Sequence, residues 1–317
     1  MAQFDSEYPD KINRMERLTL VTKPSDGYEL LDSGGEEKLE RFGDVLLRRP
    51  DPQALWPKKL EESEWSKAAG AYVREGGAKT ASGSPDTSPS EVFRGRWTGV
   101  LPQEWKIEFG GLNFLLKPTS FKHTGLFPEQ EQNWLWSAEC IKNAGREVSI
   151  LNLFGYTGGA TLAAAKAGAQ VTHVDASKTA VAWARENAKA SGLEDAPVRW
   201  ITEDALLFVR REIARGKKYD GIIMDPPAFG HGPKNEIWKI EENLIELVDL
   251  CGQLLSDQPL FLLVNGYAAG YSPLAFAYNL EQFEKKYGGA TEYGDLGIEE
   301  ANSGRTLPAG IFARWKR

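Results

Sequence analysis

The chain has 317 residues, 41% of them hydrophobic, which is enough to fill one large domain or two ordinary ones and excludes a disordered protein. Its net charge of −7 excludes a protein that coats nucleic acid through many phosphate contacts. This charge does not exclude a local basic groove. No stretch approaches the ~18 apolar residues of a membrane span and the start of the chain is charged, so we expect a soluble, cytoplasmic protein with no membrane partner.

Residues 1–118 are predicted to form a β-rich accessory domain that recognises the substrate. Short runs rich in Val, Leu, Phe and Trp, separated by Gly, Pro and Asp, are typical of strands. These runs are ERLTLVTK, GDVLLRRP, VFRGRWTGV, EWKIEFGG and LNFLLKP. One helix is predicted over LEESEWSKAAGAYVRE. The stretch at 76–91 is rich in Gly, Ser, Pro and Thr, which predicts a mobile surface loop.

Residues 119–317 are predicted to form a second domain in which helices alternate with apolar strands. The predicted strands are VSILNLF, QVTHVDA, VRWITED, YDGIIMD and PLFLLVN, with helical patterns before and between them. The helix before the last of these strands is predicted over EIWKIEENLIELVDLCGQLL. Nearly continuous apolar strands that alternate with helices indicate a parallel sheet covered on both faces, an α/β fold of Rossmann-like type. Functional residues are therefore expected at the carboxyl ends of the strands.

Three consecutive strand ends carry residues suited to an adenosine-containing ligand. The first is the turn FGYTGG at 154–159, where glycines allow close backbone approach at a helix N-terminus. Asp175 follows Gly155 by about twenty residues, where a carboxylate can accept from ribose hydroxyls. Asp204 is placed to accept from an exocyclic amine, or to cap the next helix, or both. The turn lacks the middle glycine of G-x-G-x-x-G, which disfavours a nicotinamide dinucleotide.

The fourth strand ends in Asp225-Pro226-Pro227-Ala228-Phe229. Two prolines remove backbone donors and stiffen the turn, so Asp225 and the prolyl carbonyls are presented as acceptors at a fixed position. Phe229 can stack on a flat ring. A planar substrate that carries donors, such as a nucleobase, fits this loop. The alternative is a rigid surface turn, but an acidic residue at the end of an apolar central strand is otherwise costly.

The ordered set LNLFGYTGG, HVDAS, ITEDA and IIMDPPAF resembles the class I S-adenosylmethionine-dependent methyltransferases, and among them the ribosomal RNA large-subunit methyltransferase family. The segment FKHTGLFPEQEQNW is similar to that family's lead-in to the cofactor domain, with His123 where the family has lysine. The resemblance implies a seven-stranded sheet whose last strand is antiparallel, for which GIFARWKR is the candidate, with a smaller β-rich domain before it.

The resemblance also implies the cofactor S-adenosyl-L-methionine and the residues that hold it. The turn after the first strand would hold the methionine end, Asp175 the ribose and Asp204 the adenine amino group. Asp225, Pro226, Phe229 and Asn265 would face the substrate and are the catalytic candidates. The cofactor-binding candidates are Thr124, Phe127, Gln130, Asn152, Phe154, Gly155, Tyr156, Thr157, Gly158, Asp175, Ser177 and Asp204.

The absence of a cysteine at one strand end limits which acceptor atom the protein is expected to methylate. Methylation at C5 of cytosine needs a thiolate adduct, and the strand end Val264-Asn265-Gly266-Tyr267 has no cysteine. A nucleobase nitrogen of RNA is therefore the expected acceptor. A small molecule or protein as substrate stays open, as does a non-catalytic RNA-binding or partner-binding protein with a retained cofactor pocket. Cys140 and Cys251 form no zinc-ligand pattern, so no metal is expected. The sequence leaves open the oligomeric state and the role of His231.

Overall fold

A computed structural model describes residues 15–74, 95–267 and 270–317. The loop predicted at 76–91 lies outside the described residues, so its mobility stays a prediction. The architecture is mixed α/β, with one large sheet and three smaller antiparallel-rich sheets or hairpins. No helix within the described ranges is long and apolar enough to cross a membrane.

The N-terminal part is built mainly from strands. Buried and partly buried side chains alternate along Val45–Pro50, as expected where one face of a sheet packs on the core. In chain order its elements are β1 (Met15–Thr22), β2 (Tyr28–Gly34), β3 (Glu37–Phe42), β4 (Val45–Pro50), α1 (Glu62–Trp65), β5 (Gly70–Arg74), β6 (Gly95–Gly99), β7 (Trp105–Phe109) and β8 (Leu112–Leu116). Strands β2 to β6 form a five-stranded sheet, and β7 pairs with β8.

The rest of the chain alternates helices and strands after a short 3-10 turn at Pro128–Gln130. The central strands are buried on both faces, as in Gly221–Met224, where every residue is buried. The elements are α2 (Glu131–Lys142), β9 (Ser149–Leu153), α3 (Gly159–Lys166), β10 (Gln170–Asp175), α4 (Lys178–Ala190), β11 (Val198–Thr202), α5 (Ala205–Ala214), β12 (Gly221–Met224), β13 (Phe229–His231), β14 (Ile237–Lys239), α6 (Ile240–Leu254), β15 (Phe261–Gly266), α7 (Pro273–Tyr278), α8 (Glu281–Tyr287), β16 (Ala290–Glu299) and β17 (Thr306–Lys316).

The large sheet has eight strands in the order β1-β16-β17-β15-β12-β9-β10-β11. Strands β15, β12, β9, β10 and β11 are parallel to one another, whereas β17 is antiparallel to both β15 and β16. The α/β fold is thus confirmed, and GIFARWKR lies in the antiparallel strand. Because the central strands are parallel, their carboxyl ends meet at one edge of the sheet, where the site is expected.

The predicted count of seven strands is wrong by one, because β1 adds an eighth. It pairs in parallel with β16 from Met15↔Thr291 to Thr22↔Ile298. The N-terminal part also shares a hydrophobic cluster with the helices of the large sheet, in which Tyr28 and Phe42 occur together with Trp134. The large sheet and the hydrophobic core therefore both contain residues from either side of residue 118. The division into two domains at that residue stays a prediction.

Two predicted helices are only partly formed. LEESEWSKAAGAYVRE holds one helical turn, α1, and then turns into β5, which pairs with β6 from Gly70↔Gly99 to Arg74↔Gly95. Sheet pairing overrides the weak helical pattern there. The helix predicted over EIWKIEENLIELVDLCGQLL begins only at Ile240, because the preceding residues form the hairpin of β13 and β14.

Candidate functional site

The turn after β9 holds an unusual backbone. Phe154, Tyr156 and Gly158 have φ values of 56°, 47° and 92°, in the left-handed region that non-glycine residues seldom adopt. Each such non-glycine residue costs on the order of 1–3 kcal/mol and persists only where its surroundings impose it. The Gly155 N–H donates to the Val174 carbonyl at 3.0 Å, which ties the turn to β10. Strained backbone of this kind concentrates at ligand sites.

Asp175 is joined to the same turn. Its Oδ2 accepts from the Tyr156 N–H at 2.8 Å, and its Oδ1 accepts from the Ser177 N–H at 2.8 Å. Burial raises the pKa of the Asp175 carboxyl, and the two backbone N–H donors oppose that rise. Each carboxylate oxygen has a further lone pair with which to accept from a ligand hydroxyl. Ser177 caps α4, since its Oγ accepts from the Ala180 N–H at 3.2 Å.

Asp204 is the N-cap of α5. Its Oδ1 accepts from the Leu207 N–H at 2.9 Å, and the residue is 8% exposed. The helix-capping role that was the alternative for Asp204 is therefore present, and it uses one of the two carboxylate oxygens. The adenine contact stays a prediction.

A cavity that is partly open to solvent lies at the carboxyl ends of β9, β12 and β15. It brings together part of the predicted site from segments far apart in sequence. The predicted residues that line it are Phe127, Gln130, Asn152, Phe154, Gly155, Tyr156, Thr157, Asp225 and Asn265. Thr124, Gly158, Asp175, Ser177, Asp204, Pro226 and Phe229 do not line it.

Asp225 is the most unusual titratable group of the cavity. Its Oδ1 is buried without a hydrogen-bond partner among the described residues. Burial, and then the nearby Glu129 carboxyl, raise the pKa of Asp225 to about 8. At neutral pH the carboxyl is therefore mainly protonated, and it can donate through its O–H as well as accept. Perturbed carboxyls in clefts are typical of functional sites.

The loop after Asp225 is fixed by a tryptophan. The Trp238 Nε1–H donates to the Pro227 carbonyl at 2.7 Å, and the Trp238 ring packs on Phe154 with centroids 4.9 Å apart. One lone pair of the Pro227 carbonyl is thus used within the protein, and the presentation of the prolyl carbonyls to the substrate stays a prediction. Phe229 begins the β13–β14 hairpin and contacts His231 edge to face at 5.0 Å.

Asn265 and Gln130 are held by partners that sequence reasoning missed. Asn265 Oδ1 accepts from Asn133 Nδ2 at 2.9 Å, which leaves its own amide NH2 group for a ligand. Gln130 Nε2 donates to the Tyr267 hydroxyl at 2.5 Å. Glu129 is 6% exposed, and burial raises its pKa to about 7. In the sequence, Glu129 could have been identified as a site residue because it lies beside Gln130 in the lead-in segment.

Asn152 and Thr124 have structural surroundings. Asn152 Nδ2 donates to Thr161 Oγ1 at 2.8 Å, and that oxygen lies 2.8 Å from Nδ1 of the buried His173. The Thr124 hydroxyl is buried without a partner among the described residues. Beside it, Thr157 Oγ1 donates to the Gly125 carbonyl at 2.6 Å, which joins the lead-in segment to the turn after β9.

Asp225→Asn is expected to be more stable than the wild type, by a margin that grows by ~1.4 kcal/mol for each pH unit between about 4 and 8. The native pKa of about 8 exceeds the ordinary 3.8, so the native state binds more protons than the unfolded state between those values. Wild-type stability should therefore fall as pH rises through that window, and asparagine should remove this loss. Urea unfolding from pH 4 to 9 measures it; parallel curves would contradict the raised pKa.

Comparisons with known proteins point to one family. A model of the S-adenosylmethionine-dependent methyltransferases matches residues 86–265. Ribosomal RNA large subunit methyltransferase K/L of Shewanella frigidimarina is 29% identical over 220 residues, which cover 68% of this chain and 27% of that protein. Ribosomal RNA large subunit methyltransferase I of Aeromonas salmonicida is 34% identical over 138 residues, which cover 42% of this chain and 34% of that protein. The alignments thus span about a quarter to a third of these relatives.

Solved structures agree on the fold. A SAM-dependent methyltransferase from Agrobacterium tumefaciens is 37% identical with a TM-score of 0.85, and the match covers 95% of both chains. Another structure, solved as a complex with SAH, is 19% identical with a TM-score of 0.64 and covers 92% of this chain and 76% of its own. At that identity the second likeness shows the fold alone. No group of residues suited to hold a metal ion occurs within the described parts of the chain.

Proposed function

Because the chain belongs to the family of S-adenosylmethionine-dependent methyltransferases, we propose that it transfers the cofactor's methyl group to a nucleobase nitrogen of RNA. One observation carries the proposal. The Asp225 carboxyl has an unpartnered buried oxygen and lines the same cavity as the strained turn at Phe154–Thr157. A group that can bond the acceptor thus lies beside the proposed donor position.

The residues present fit the cofactor. The residues that line the cavity are mainly apolar and aromatic with a few polar groups, the composition that ligand sites use. In this proposal Phe154–Gly158 hold the methionine end and Asp175 accepts from the ribose hydroxyls. Asp204 faces the adenine amino group with the oxygen that does not cap α5. When bound, the cofactor supplies an electrophilic methyl group on a sulfonium, which a nitrogen lone pair displaces in line.

The chain's own residues then align the acceptor. The Asp225 carboxyl bonds the edge of the base, and the Asn265 amide NH2 group donates to the same edge. Asn133 holds Asn265 at 2.9 Å, so the amide is fixed before the substrate arrives. Positioning of this kind removes the entropic cost of bringing two reactants together. An exocyclic amine would pass its proton to Asp225 in the carboxylate form or to water.

RNA is favoured over other acceptors by the aromatic mouth of the cavity. The Phe127 ring lies 5.7 Å from Tyr156 and 5.5 Å from Tyr267, and Tyr267 is 37% exposed. Partly exposed rings of this kind can stack an unpaired base, at ~1–3 kcal/mol per base. Curated relatives are named for ribosomal RNA, which adds support. We place the reaction in the cytoplasm, where free buried thiols such as Cys140 and Cys251 remain reduced.

The test is incubation of the protein with methyl-labelled cofactor and separate fractions of total RNA, protein and metabolites. The expected result is label in RNA, and none when S-adenosylhomocysteine is in excess. Label found only in protein or only in metabolites would show that the protein is a methyltransferase with a different substrate. If calorimetry shows cofactor binding but no fraction is labelled, the protein binds the cofactor without transferring its methyl group.

A further inference from the structure

We propose that Arg314 is a positioning residue that sets the direction of the Asn265 amide and so selects a substrate edge with a lone pair opposite that amide. This rests on the proposed function, in which Asn265 faces the target base. Arg314 lies on β17 and Asn265 on β15, two strands that pair with each other. The side chain of Asn133, on α2, is hydrogen-bonded to both.

The direction begins at Arg314, because a guanidinium can only donate hydrogen bonds. Its Nη1 donates to Asn133 Oδ1 at 3.3 Å, and its Nε donates to Glu292 Oε2 at 2.7 Å. The guanidinium carbon lies 4.5 Å from the centre of the Trp136 ring and 5.1 Å from that of Phe312, so the group is held in place. Burial lowers the pKa of Arg314 and Glu292 opposes the fall, and arginine stays charged at neutral pH.

Asn133 passes the direction on to two further amides. Because its oxygen faces Arg314, its NH2 group points the other way, and Nδ2 donates to Asn265 Oδ1 at 2.9 Å and to Gln130 Oε1 at 3.3 Å. Gln130 Nε2 then donates to the Tyr267 hydroxyl at 2.5 Å. The NH2 group of Asn265 makes no hydrogen bond within the described ranges, and Asn265 lines the cavity. The chain of bonds thus ends in a free donor.

Burial makes this direction strict. Asn133, Gln130 and Asn265 are 1%, 4% and 3% exposed, so water cannot readily replace a lost partner. If one amide were reversed, two oxygens or two NH2 groups would face each other and remain unsatisfied in the interior, which is costly. Within this set of side chains, every bond is satisfied only in the direction that begins at Arg314.

The fixed amide restricts the substrate. A free NH2 group in a cavity is satisfied by a carbonyl oxygen or by a ring nitrogen without a proton, and it is left unpaired by an N–H group. Asp225 lines the same cavity, so the edge of the base meets a carboxyl and an amide donor. We therefore expect the methylated base to carry a lone pair beside the nitrogen that receives the methyl group.

The experiment compares Arg314→Met with Asn133→Asp. Methionine keeps apolar contact with the neighbouring rings but donates nothing. Aspartate keeps the bond from Arg314 but cannot donate when ionised, so Asn265 must turn its NH2 group toward it and present an oxygen to the cavity. We expect kcat/KM for RNA to fall about tenfold in Arg314→Met and about 10- to 100-fold in Asn133→Asp, with unchanged binding of S-adenosylhomocysteine. Wild-type kcat/KM in both variants would overturn the proposal.

Arg41→Met is the matched control. Arg41 lies opposite Glu29 in the pairing of β2 with β3 and forms an ion pair with it, just as Arg314 lies opposite Glu292 in the pairing of β16 with β17. The control loses the same kind of cross-strand pair and should keep its kcat/KM. An equal fall in the control would show that loss of an ion pair, rather than amide direction, lowers the activity.

A double variant tests whether Arg314 acts through Asn265. In the background of Asn265→Ala there is no amide left to orient, so adding Arg314→Met should lower kcat/KM little further. A fall by the same factor as in the wild-type background would overturn the proposal.

A spectroscopic readout does not depend on methylation. In protein labelled with 15N-asparagine, the NH2 signal of Asn265 should shift in Asn133→Asp, and its protons should exchange with water more slowly, because the group is then bonded to a carboxylate. This change without label in RNA would support the role of Arg314 and Asn133 and refute the proposed reaction. An unchanged Asn265 signal would refute the amide reversal, whether or not RNA is methylated.

Discussion

Asp225→Ala is expected to lower the rate of methyl transfer about 10²- to 10³-fold, the usual cost of removing one group that bonds the reacting centre. The reason is geometric: Asp225 ends the central strand β12, and its free Oδ1 is the unpartnered acceptor of the cavity described above. S-adenosylhomocysteine should bind as before, because the strained turn and Asp175 are unchanged. The measurement is steady-state methyl transfer with calorimetry on the same samples.

The matched control is Asp257→Ala, an exposed aspartate on the loop before β15 at the far edge of the sheet. It should retain full activity. If Asp225→Ala bound the cofactor and kept wild-type kcat and KM, the loop at Asp225-Pro226-Pro227 would have no part in catalysis. If it lost cofactor binding instead, Asp225 would belong to the cofactor site rather than the acceptor site.

Gly155→Ala is expected to destabilise the protein by about 1–3 kcal/mol, as overpacking does, and to weaken cofactor binding at least tenfold. A Cβ at Gly155 would lie 2.5 Å from both Cε1 and Nδ1 of His173. That ring is fully buried, bonds Thr161 at 2.8 Å and packs on Trp200 at 4.9 Å, so it cannot move aside. The turn must shift instead. Thermal unfolding and calorimetry with S-adenosylhomocysteine measure the two effects.

Two further variants make the Gly155 prediction specific. Gly168→Ala also introduces a Cβ, at φ +100°, but nothing lies within 4 Å of it, so cofactor binding should be retained despite some loss of stability. Adding His173→Ala to Gly155→Ala removes the clashing ring and should recover part of the cofactor affinity. Normal affinity of Gly155→Ala would show that the close approach to His173 does not shape the turn.

The sequence predicted the elements whose pattern is local. The buried runs of β9, β12 and β15 are mostly apolar, and this pattern together with the intervening helices indicated a parallel sheet. The fold class follows from that alternation. The pairing of β1 with β16 could not be predicted, because Met15–Thr22 has no feature that selects a partner so far along the chain.

The site was predicted where it follows a strand, and at Phe127 and Gln130 where the resemblance covers the lead-in segment. Phe154–Thr157 and Asp225 were found because they end β9 and β12, and the structure brings them to one cavity. Glu129 and Tyr267 were missed because a glutamate before a helix and a tyrosine after a strand look like ordinary surface residues. Their importance depends on long-range contact: Gln130, next to Glu129, bonds Tyr267 across a separation of 137 residues.

The central claim is that a nucleobase nitrogen of RNA receives the methyl group. The most direct test is nucleoside mass spectrometry of RNA after reaction with a cofactor that carries a deuterated methyl group, with Asp225→Ala in parallel. The account predicts a labelled N-methylated nucleoside from the wild type and a loss of at least about a hundredfold in the variant. A label on carbon, such as in 5-methylcytosine, or RNA without any labelled nucleoside would contradict it.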